Sequence, residues 1–377
     1  MRKYDSRNQA FTEPDDRTYI YDNPAWPKFT WDKQAIDAKL AGAQAIADRF
    51  MDELPKYSPE IYKKIRLDNT TTEAVKSNLI EGEVSSFENT LQIVARHLRI
   101  KLDEVYKIDP KPEGVVKILL DARQNYRDSM GTARLLRWHK WLFPEDVEGR
   151  NPVKGGHLRT DDVYVVDAKY FYNNIVYKAP GPEKVGPMLD ELVGWINKDI
   201  MTPEVIKGAI AHLWFVAVHP FADGNGRIAR GLVAMMQARH NRSDCCLYSM
   251  SNQFEKKSKG YYDNLMITSK RSIDITPWLD YYIGCYKDAV IHSRELFNVL
   301  AKKALFYNTF PEITDLRLKR FVNVLLEKNE GGISEKRLKK ITGYSDSDAT
   351  KVIDTWTQQG VIGYIQNLRQ NHSVQRA

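Results

Sequence analysis

The stretch HPFADGNGRIAR, residues 219–230, constrains the fold most, because it places a polar segment with two glycines directly after the apolar run LWFVAV. The apolar run fits a buried helix that ends near Val218, and helical patterning resumes near Arg227. A short loop from His219 to Gly226 then connects the two helices. The sequence therefore predicts a helix, a loop and a second helix in this part of the chain.

Helical periodicity also dominates the chain before and after this stretch, up to about residue 302. Strand signals are concentrated in residues 155–185, where β-branched and aromatic residues lie between turn residues, as in a β-hairpin. The fold class that follows is mainly α with one β-hairpin. The predicted helices are KQAIDAKLAGAQAIADRFMDEL and the segments around 69–81, 87–105, 114–126, 131–143, 185–199, 203–218, 227–240, 260–269 and 276–302.

Residues 303–377 are predicted to form a separate C-terminal unit. DLRLKRFVNVLLEKN is amphipathic, a short helix ends at Gly343, and a third helix is capped by Gly360. The run VIGYI then reads as a strand, so the order of elements resembles a winged helix. The third helix carries Asp348 and Asp354 beside Lys351, which favours a packing or dimerisation role over DNA binding.

Composition limits the classes of protein to which the chain can belong. At 377 residues with 42% hydrophobic residues it can fill a globular core. Residues 1–16 are polar and offer no signal peptide, and no apolar run approaches the roughly 20 residues of a membrane span, so we expect a cytoplasmic protein. The three cysteines have no C-x-x-C spacing and indicate neither a disulfide framework nor a zinc site. The net charge of +7 favours anionic ligands.

The loop and the start of the following helix predict an anion site. Backbone N–H groups at a helix start bind phosphate oxygens, and Gly224 and Gly226 remove side chains that would keep a ligand away. Arg227 and Arg230 lie one turn apart and can lean toward the same ligand. The spacing fits neither a P-loop nor the dinucleotide-binding G-x-G-x-x-G. Taken singly, the glycines are also ordinary loop formers and the arginines an ordinary solvated face.

Two further side chains of the loop carry chemistry. Asp223 offers a hard oxygen ligand of the kind that Mg²⁺ takes while it also bridges phosphates. His219 has an unperturbed pKa suited to removing a proton near neutrality. Each also has a structural reading, as a turn residue and as a helix C-cap. Phe221, an aromatic side chain between polar neighbours, is predicted to anchor the loop to the core.

The whole constellation resembles the Fic family, whose signature is H-P-F-x-[DE]-G-N-G-R-x-x-R. The resemblance extends to GHLRTDDVYVV and APGPEKVGPMLDELVGWIN, which are similar to the family's flap hairpin and following helix, and to YYDNL at residues 261–265. YIYDNPAWPKFTWD resembles the uncharacterised domain that heads some bacterial Fic proteins. The fixed positions of the signature are met by His219, Pro220, Phe221, Asp223, Gly224, Asn225, Gly226, Arg227 and Arg230.

The resemblance implies transfer of AMP from ATP to a hydroxyl side chain (Tyr, Thr or Ser) of a target protein, with Mg²⁺ as cofactor and pyrophosphate leaving. It implies that Asn225, with the backbone of Gly224 and Gly226, steadies the α-phosphate. Arg227 and Arg230 would hold the phosphate tail, while His219 would deprotonate the target and Asp223 would hold the metal. Tyr261 and Tyr262 match positions that line the base or ribose pocket. At Ser269 this chain departs from relatives that carry an adenine-contacting asparagine.

A second motif, VKSNLIEGE, places Ser77 and Glu81 four residues apart on one helical face with Gly82 as the helix stop. On its own this is an ordinary helix end. In a Fic protein it resembles the inhibitory helix [ST]-x-x-x-E-[GN], whose glutamate pairs with the second arginine of the loop, here Arg230. The resemblance therefore implies an intramolecular brake.

These observations together predict three regions: an N-terminal helical domain at 1–105 containing the inhibitory helix at about 69–82, a Fic catalytic core at 106–302, and the winged-helix unit at 303–377. The predicted function is protein adenylyltransferase, with self-modification and homodimer formation as further expectations and no membrane partner. Two alternatives stay open, which are removal of AMP by the same site and a DNA-binding regulator that senses nucleotide.

Overall fold

The computed structural model describes residues 19–102, 109–144, 153–167, 174–268, 270, 272–328 and 331–370. Residues 1–16 and Ser269, on which the sequence analysis commented, lie outside these ranges. The helices of the described chain are α1 (Lys33–Glu53), α2 (Pro59–Ile80), α3 (Phe87–His97), α4 (Glu113–Gln124), α5 (Thr132–Leu142), α6 (Pro182–Lys198), α7 (Glu204–Val218), α8 (Asn225–Asn241), α9 (Met250–Lys256), α10 (Ser258–Thr268), α11 (Thr276–Thr309), α12 (Leu316–Glu327), α13 (Glu335–Thr342), α14 (Asp346–Gln358) and α15 (Val361–Gln370).

Two short 3₁₀ helices (Ile20–Asp22 and Leu54–Lys56) and two strands complete the described secondary structure. Strands β1 (Tyr164–Asp167) and β2 (Asn174–Lys178) pair antiparallel, with a register irregularity between Val165 and Val166. The predicted mainly α fold with a β-hairpin is therefore confirmed. Among the described residues, no helix combines the length and the apolar character that a membrane crossing requires.

The chain divides into two compact units, one of residues 1–47 with 66–290 and the other of residues 48–65 with 291–377. The core of the first unit is built around α7, which is buried along almost its whole length, and α8. The close approach of α8 to its neighbours depends on Gly231, because a Cβ there would lie 2.6 Å from Cγ2 of Ile118. Helices α7 and α8 therefore hold the loop between them in a tightly packed frame.

The β-hairpin is fixed to the end of α7 by one buried tyrosine. Tyr177 on β2 donates a hydrogen bond from its hydroxyl to the carbonyl oxygen of Ala217, at 2.6 Å. Burial raises the pKa of Tyr177 well above its usual value, so its hydroxyl keeps its proton. The hairpin is thereby anchored one turn before the loop that follows α7.

The C-terminal part of the second unit corrects one prediction. Residues 361–365, read as a strand of a β-wing, lie in helix α15, and 316–328 and 331–370 contain only helices and connecting segments. Val361, Ile365 and Leu368 are buried at helical spacing in a common core with Phe321 and Trp356. Four helices, α12 to α15, therefore take the place of the predicted three helices and a wing.

The two helix ends predicted in this unit agree with the structure. Gly343 ends α13 with φ of 71°, and Gly360 follows α14 with φ of 74°, both in the left-handed region that glycine adopts without penalty. The side chains of Ser334 and Ser345 cap the starts of α13 and α14.

Candidate active site

The loop between α7 and α8 begins with a strained residue. His219 caps α7 in the left-handed region, with φ of 49° and ψ of 59°, and its N–H donates to the carbonyl of Phe215 at 3.0 Å. Its ring nitrogen Nδ1 lies 3.3 Å from the carbonyl oxygen of Val216. The predicted loop is too long at its far end, because α8 begins at Asn225 and Gly226 lies in its first turn. The left-handed backbone of His219 therefore ends α7 and begins the loop.

Arg159, which the sequence analysis did not single out, donates hydrogen bonds to the start of this loop. Its guanidinium donates to the carbonyl oxygen of His219 at 2.8 Å and to that of Pro180, and its backbone N–H donates to the carbonyl oxygen of Pro220 at 3.0 Å. Burial lowers its pKa, although nearby Asp162 acts in the opposite direction. The residue lies in GHLRTDD, whose resemblance to the flap region was the only sequence signal for it.

Asn225 braces the loop internally. Its Oδ1 accepts from the N–H of Phe221 at 3.0 Å, and its Nδ2 donates to the carbonyl oxygen of Phe221 at 2.8 Å. The Phe221 ring is fully buried and stacks on His139 at a centroid distance of 4.1 Å, as expected for an anchor. Both ends of the Asn225 amide are therefore used within the loop, so its side chain positions the site from within.

The two glycines of the motif have different structural roles. Gly224 precedes α8 with φ of 80°, and a Cβ there would lie 2.8 Å from Cδ1 of Leu142, so this glycine serves backbone conformation and packing. At Gly226 a Cβ would collide with the carboxylate of Glu81. A negatively charged group thus lies directly against the first turn of α8, where helix N–H groups and the helix dipole favour an anion.

Arg230 is the most enclosed charge of the site, with a side chain only 1% exposed. Its Nη2 lies 2.9 Å from Oε1 of Glu81 and also donates to the carbonyl oxygen of Ser77 at 2.8 Å. Its Nε donates to Oγ of Ser77 at 2.8 Å. Burial acts to lower the pKa of Arg230, but the charges and hydrogen bonds of Glu81 and Tyr261 together outweigh it and the pKa is raised. The structure therefore places Glu81 against Arg230, as predicted, and adds contacts from Ser77 that were not predicted.

Arg227 lies one turn earlier and meets a carboxylate that was not predicted. Its Nη1 lies 2.7 Å from Oε1 of Glu83, its Nη2 lies 3.6 Å from Oδ1 of Asp223, and its guanidinium carbon lies 5.4 Å from the ring centroid of Phe143. The Arg227 side chain is 5% exposed, whereas that of Glu83 is 51% exposed. The two motif arginines therefore pair with two different carboxylates, on either side of Gly82.

Asp223 remains the accessible carboxylate of the loop. Its Oδ1 accepts from the N–H of Gly224 at 2.6 Å, and its side chain is 41% exposed. Across the described residues, no group of three or more His, Cys, Asp or Glu side chains is placed to hold a metal ion. A cation here would rest on one carboxylate and on oxygen atoms supplied from outside the chain.

The two tyrosines predicted to line a base pocket lie against Arg230 and the end of α2. Tyr261 is 2% exposed, and its hydroxyl lies 3.4 Å from Nη1 of Arg230 and 2.8 Å from Nε2 of His212. Tyr262 donates from its hydroxyl to the carbonyl oxygen of Ile80, at 2.6 Å. Burial, followed by the charge of Arg230, lowers the pKa of His212 to about 3, so His212 is neutral at physiological pH. The tyrosines thus tie the site to the end of α2.

Comparisons with known proteins match the part of the chain that contains this loop. Residues 130–236 match the Fic/DOC family, and residues 19–100, which include YIYDNPAWPKFTWD, match a domain of unknown function called DUF4172. The solved structure of a Fic family protein from Desulfovibrio desulfuricans superposes with a TM-score of 0.54 at 18% identity, over 88% of this chain and 91% of that chain. The chain has the Fic fold.

Other relatives agree with this fold. A Fic domain containing signaling protein from Bacteroides thetaiotaomicron gives a TM-score of 0.51 at 17% identity, over 69% of this chain and 96% of that one. A probable protein adenylyltransferase of Aquifex aeolicus is 22% identical over 77% of this chain and 85% of its own length. The protein adenylyltransferase Fic of Culex quinquefasciatus is 27% identical over 55% of this chain, which spans only 38% of that relative.

Proposed function

We propose that the protein is an adenylyltransferase that transfers AMP from ATP to a hydroxyl side chain of a target protein, and that Glu81 inhibits this activity. One observation carries the proposal: the Glu81 carboxylate lies against Gly226 in the first turn of α8 and pairs with Arg230. A carboxylate in this position is a stand-in for a phosphate, because both are held by helix N–H groups and guanidinium donors. The relatives named as protein adenylyltransferases support the same reaction.

The proposed chemistry begins at His219. Its imidazole removes the proton of the target hydroxyl, the hydroxyl oxygen forms a bond to the α-phosphorus of ATP, and the bond to the bridging oxygen breaks as pyrophosphate leaves. The left-handed backbone of His219 and the bond from Arg159 to its carbonyl fix the direction of the ring in advance. A base that is already oriented lowers the entropic cost of reaching the transition state.

The phosphates would be held by charge and by the start of α8. The backbone at Asn225 and Gly226 lies in the first turn of α8, which favours negative charge on the α-phosphate in the transition state. Arg227 and Arg230 would neutralise the leaving pyrophosphate. Asp223 fits Mg²⁺, because its carboxylate is partly exposed and the ion takes its other ligands from phosphate oxygens and water. The ion would supply charge neutralisation on the phosphates.

The brake in this proposal is a competition for one arginine. Glu81 and the terminal phosphate of ATP compete for the same donors of Arg230. Ser77 accepts a hydrogen bond from Nε and so fixes the orientation of the guanidinium. ATP that binds while Glu81 is paired would lack this contact, so its α-phosphate would be misaligned with His219. Loss of the Glu81 carboxylate should therefore raise transfer more than it changes ATP affinity.

The test is label transfer from ATP carrying label on its α-phosphate, with Mg²⁺, using self-modification and a lysate as acceptors. We expect Glu81→Gly to transfer at least about tenfold more label than the parent, a change equivalent to roughly 1.4 kcal/mol. Glu81→Gly combined with His219→Ala should transfer none. The matched control is Glu312→Gly, an exposed turn glutamate of the second unit, which should behave like the parent.

The outcomes separate the two halves of the proposal. Equal labelling by the parent and Glu81→Gly would reject the brake and leave the transferase. Undiminished labelling by the double variant would reject His219 as the base. If pre-labelled target instead loses AMP in the presence of the parent, and Glu81→Gly stops that loss, the site works in the direction of removal.

A further inference from the structure

Glu83 contacts the phosphate site and has no role in the mechanism described so far. It follows Gly82 directly after α2, and its carboxylate pairs with Arg227 at 2.7 Å. Arg227 and Arg230 both belong to the anion-binding start of α8, so each arginine of the motif is paired with one carboxylate of the segment Glu81–Gly82–Glu83.

The backbone of this segment explains how two neighbouring carboxylates reach two different arginines. The N–H of Glu83 donates to the carbonyl oxygen of Asn78 at 3.0 Å, and the N–H of Gly82 donates to that of Leu79 at 2.9 Å. This pair of bonds defines a Schellman turn, with Gly82 in the left-handed region at φ of 81°. The turn reverses the chain after Glu81 and fixes the position of Glu83.

We propose that Glu83 is a second competing carboxylate of the phosphate site, and that the Gly82 turn presents Glu81 and Glu83 as one unit to the two arginines. This inference deepens the proposed function and rests on it. The ligand that displaces Glu83 is the polyphosphate part of a nucleoside triphosphate, or pyrophosphate itself, because a polyphosphate offers two adjacent anionic groups to two cations one helical turn apart.

Arg227 is suited to this exchange. Its Nε is buried and has no hydrogen-bond partner among the described residues, so the pair with Glu83 leaves the guanidinium incompletely satisfied. The Phe143 ring and Asp223 would keep the guanidinium in place when Glu83 leaves. Glu83 also has space to move, because it lines a cavity of about 950 Å³ together with Arg227 and Trp141.

The two carboxylates should act with different strengths. Glu81 is 28% exposed and meets an arginine that is 1% exposed, whereas Glu83 is 51% exposed. Water and salt screen the Glu83 pair, so it should compete more weakly with phosphate than the Glu81 pair does.

The test is binding of inorganic pyrophosphate without Mg²⁺, measured by calorimetry in a His219→Ala background so that no chemistry occurs. We expect Glu83→Gln to tighten pyrophosphate binding about threefold to fivefold, the range for a partly exposed pair. Gly82→Ala should tighten it at least as much as Glu83→Gln, because alanine disfavours the left-handed turn although no atom lies within 4 Å of the added Cβ.

The matched control is Glu113→Gln. Glu113 lines the same cavity, but its carboxylate pairs with Arg96 and Lys117 instead of with Arg227. If Glu113→Gln tightens pyrophosphate as much as Glu83→Gln, the effect is general electrostatics and the proposal is wrong. It is also wrong if Glu83→Gln binds like the parent, or if no variant binds pyrophosphate. If the binding changes occur as expected but Glu81→Gly with His219 intact transfers no AMP, the proposed reaction is overturned and Glu83 remains a competing carboxylate of a polyphosphate site.

Discussion

Arg227 and Arg230 are the same residue type on the same helix, one turn apart, and each meets a glutamate of the same turn, yet their surroundings differ. Arg230 is enclosed by Ser77, Glu81 and Tyr261, and the charge of Glu81 raises its pKa. Arg227 faces a carboxylate that is half exposed to solvent. Burial decides how much an ion pair contributes to stability. The motif therefore contains one buried pair, at Arg230, that stabilises the fold and one partly exposed pair, at Arg227, that a ligand can displace easily.

The largest expected difference is in stability. Arg230→Ala should lower the free energy of unfolding by about 3 kcal/mol, because it leaves the Ser77 and Tyr261 hydroxyls and the Glu81 carboxylate without their partner. Arg227→Ala should lower it by about 1 kcal/mol, since Glu83 becomes hydrated. Urea unfolding measures both, and Arg320→Ala, an exposed helical arginine, is the control. Equal losses for the two variants would remove the distinction.

The second expected difference is in the pH dependence of stability, and it arises in the buried surroundings of Arg230. His212, which contacts Tyr261 behind Arg230, has its pKa lowered from 6.5 to about 3. The unfolded chain therefore binds a proton that the folded chain rejects, and stability is lost as the pH falls from about 6.5 toward about 3. Between about pH 7.5 and pH 5 this site should contribute about 2 kcal/mol of that loss.

The comparison for this prediction is His212→Gln, whose unfolding free energy should depend less on pH over the same interval. Parallel urea titrations of parent and variant give the difference directly. A partly exposed histidine, tested as His292→Gln, should leave the slope of the parent intact. Identical slopes for the parent and His212→Gln would mean that protonation of His212 is not coupled to unfolding.

The smallest expected difference is in the salt dependence of pyrophosphate affinity, and it arises at the exposed pair of Arg227 and Glu83. Raising NaCl from about 0.05 M to about 0.5 M shortens the range of electrostatic interactions to a few ångströms. The gain in pyrophosphate affinity caused by Glu83→Gln should shrink, while the gain caused by Glu81→Gln should persist, because the Arg230 pair is shielded from solvent ions. Calorimetric titrations at both salt concentrations check this, and an equal decrease for both variants would contradict it.

The catalytic loop could be predicted from sequence because its chemistry is local. His219, Asp223 and the two arginines lie within twelve residues whose spacing fixes their relation to one helix start. The Glu81 contact to Arg230 followed from the resemblance to an inhibitory helix, although the two residues are 149 positions apart. The fold was accessible for a similar reason, since long amphipathic periods are typical of helices.

The remaining contacts depend on tertiary packing that no short pattern encodes. Glu83 is a single acidic residue after a glycine, and only the path of the Schellman turn brings it to Arg227. Arg159 acts through carbonyl oxygens, which every residue possesses, so its sequence context could not reveal its partners. VIGYI contains residues that favour strands, and burial of Val361 and Ile365 on one face made it a helix.

The left-handed histidine has a consequence for how this protein can change over time. A non-glycine residue at φ of 49° costs about 1–2 kcal/mol, which glycine at the same position would not incur. Selection for thermal robustness alone would therefore favour glycine at position 219, and the proton removal proposed for His219 would oppose it. Under the proposed mechanism, selection for activity and selection for stability act in opposite directions at this position, so loss of the histidine is a short mutational path toward a more stable and inactive descendant.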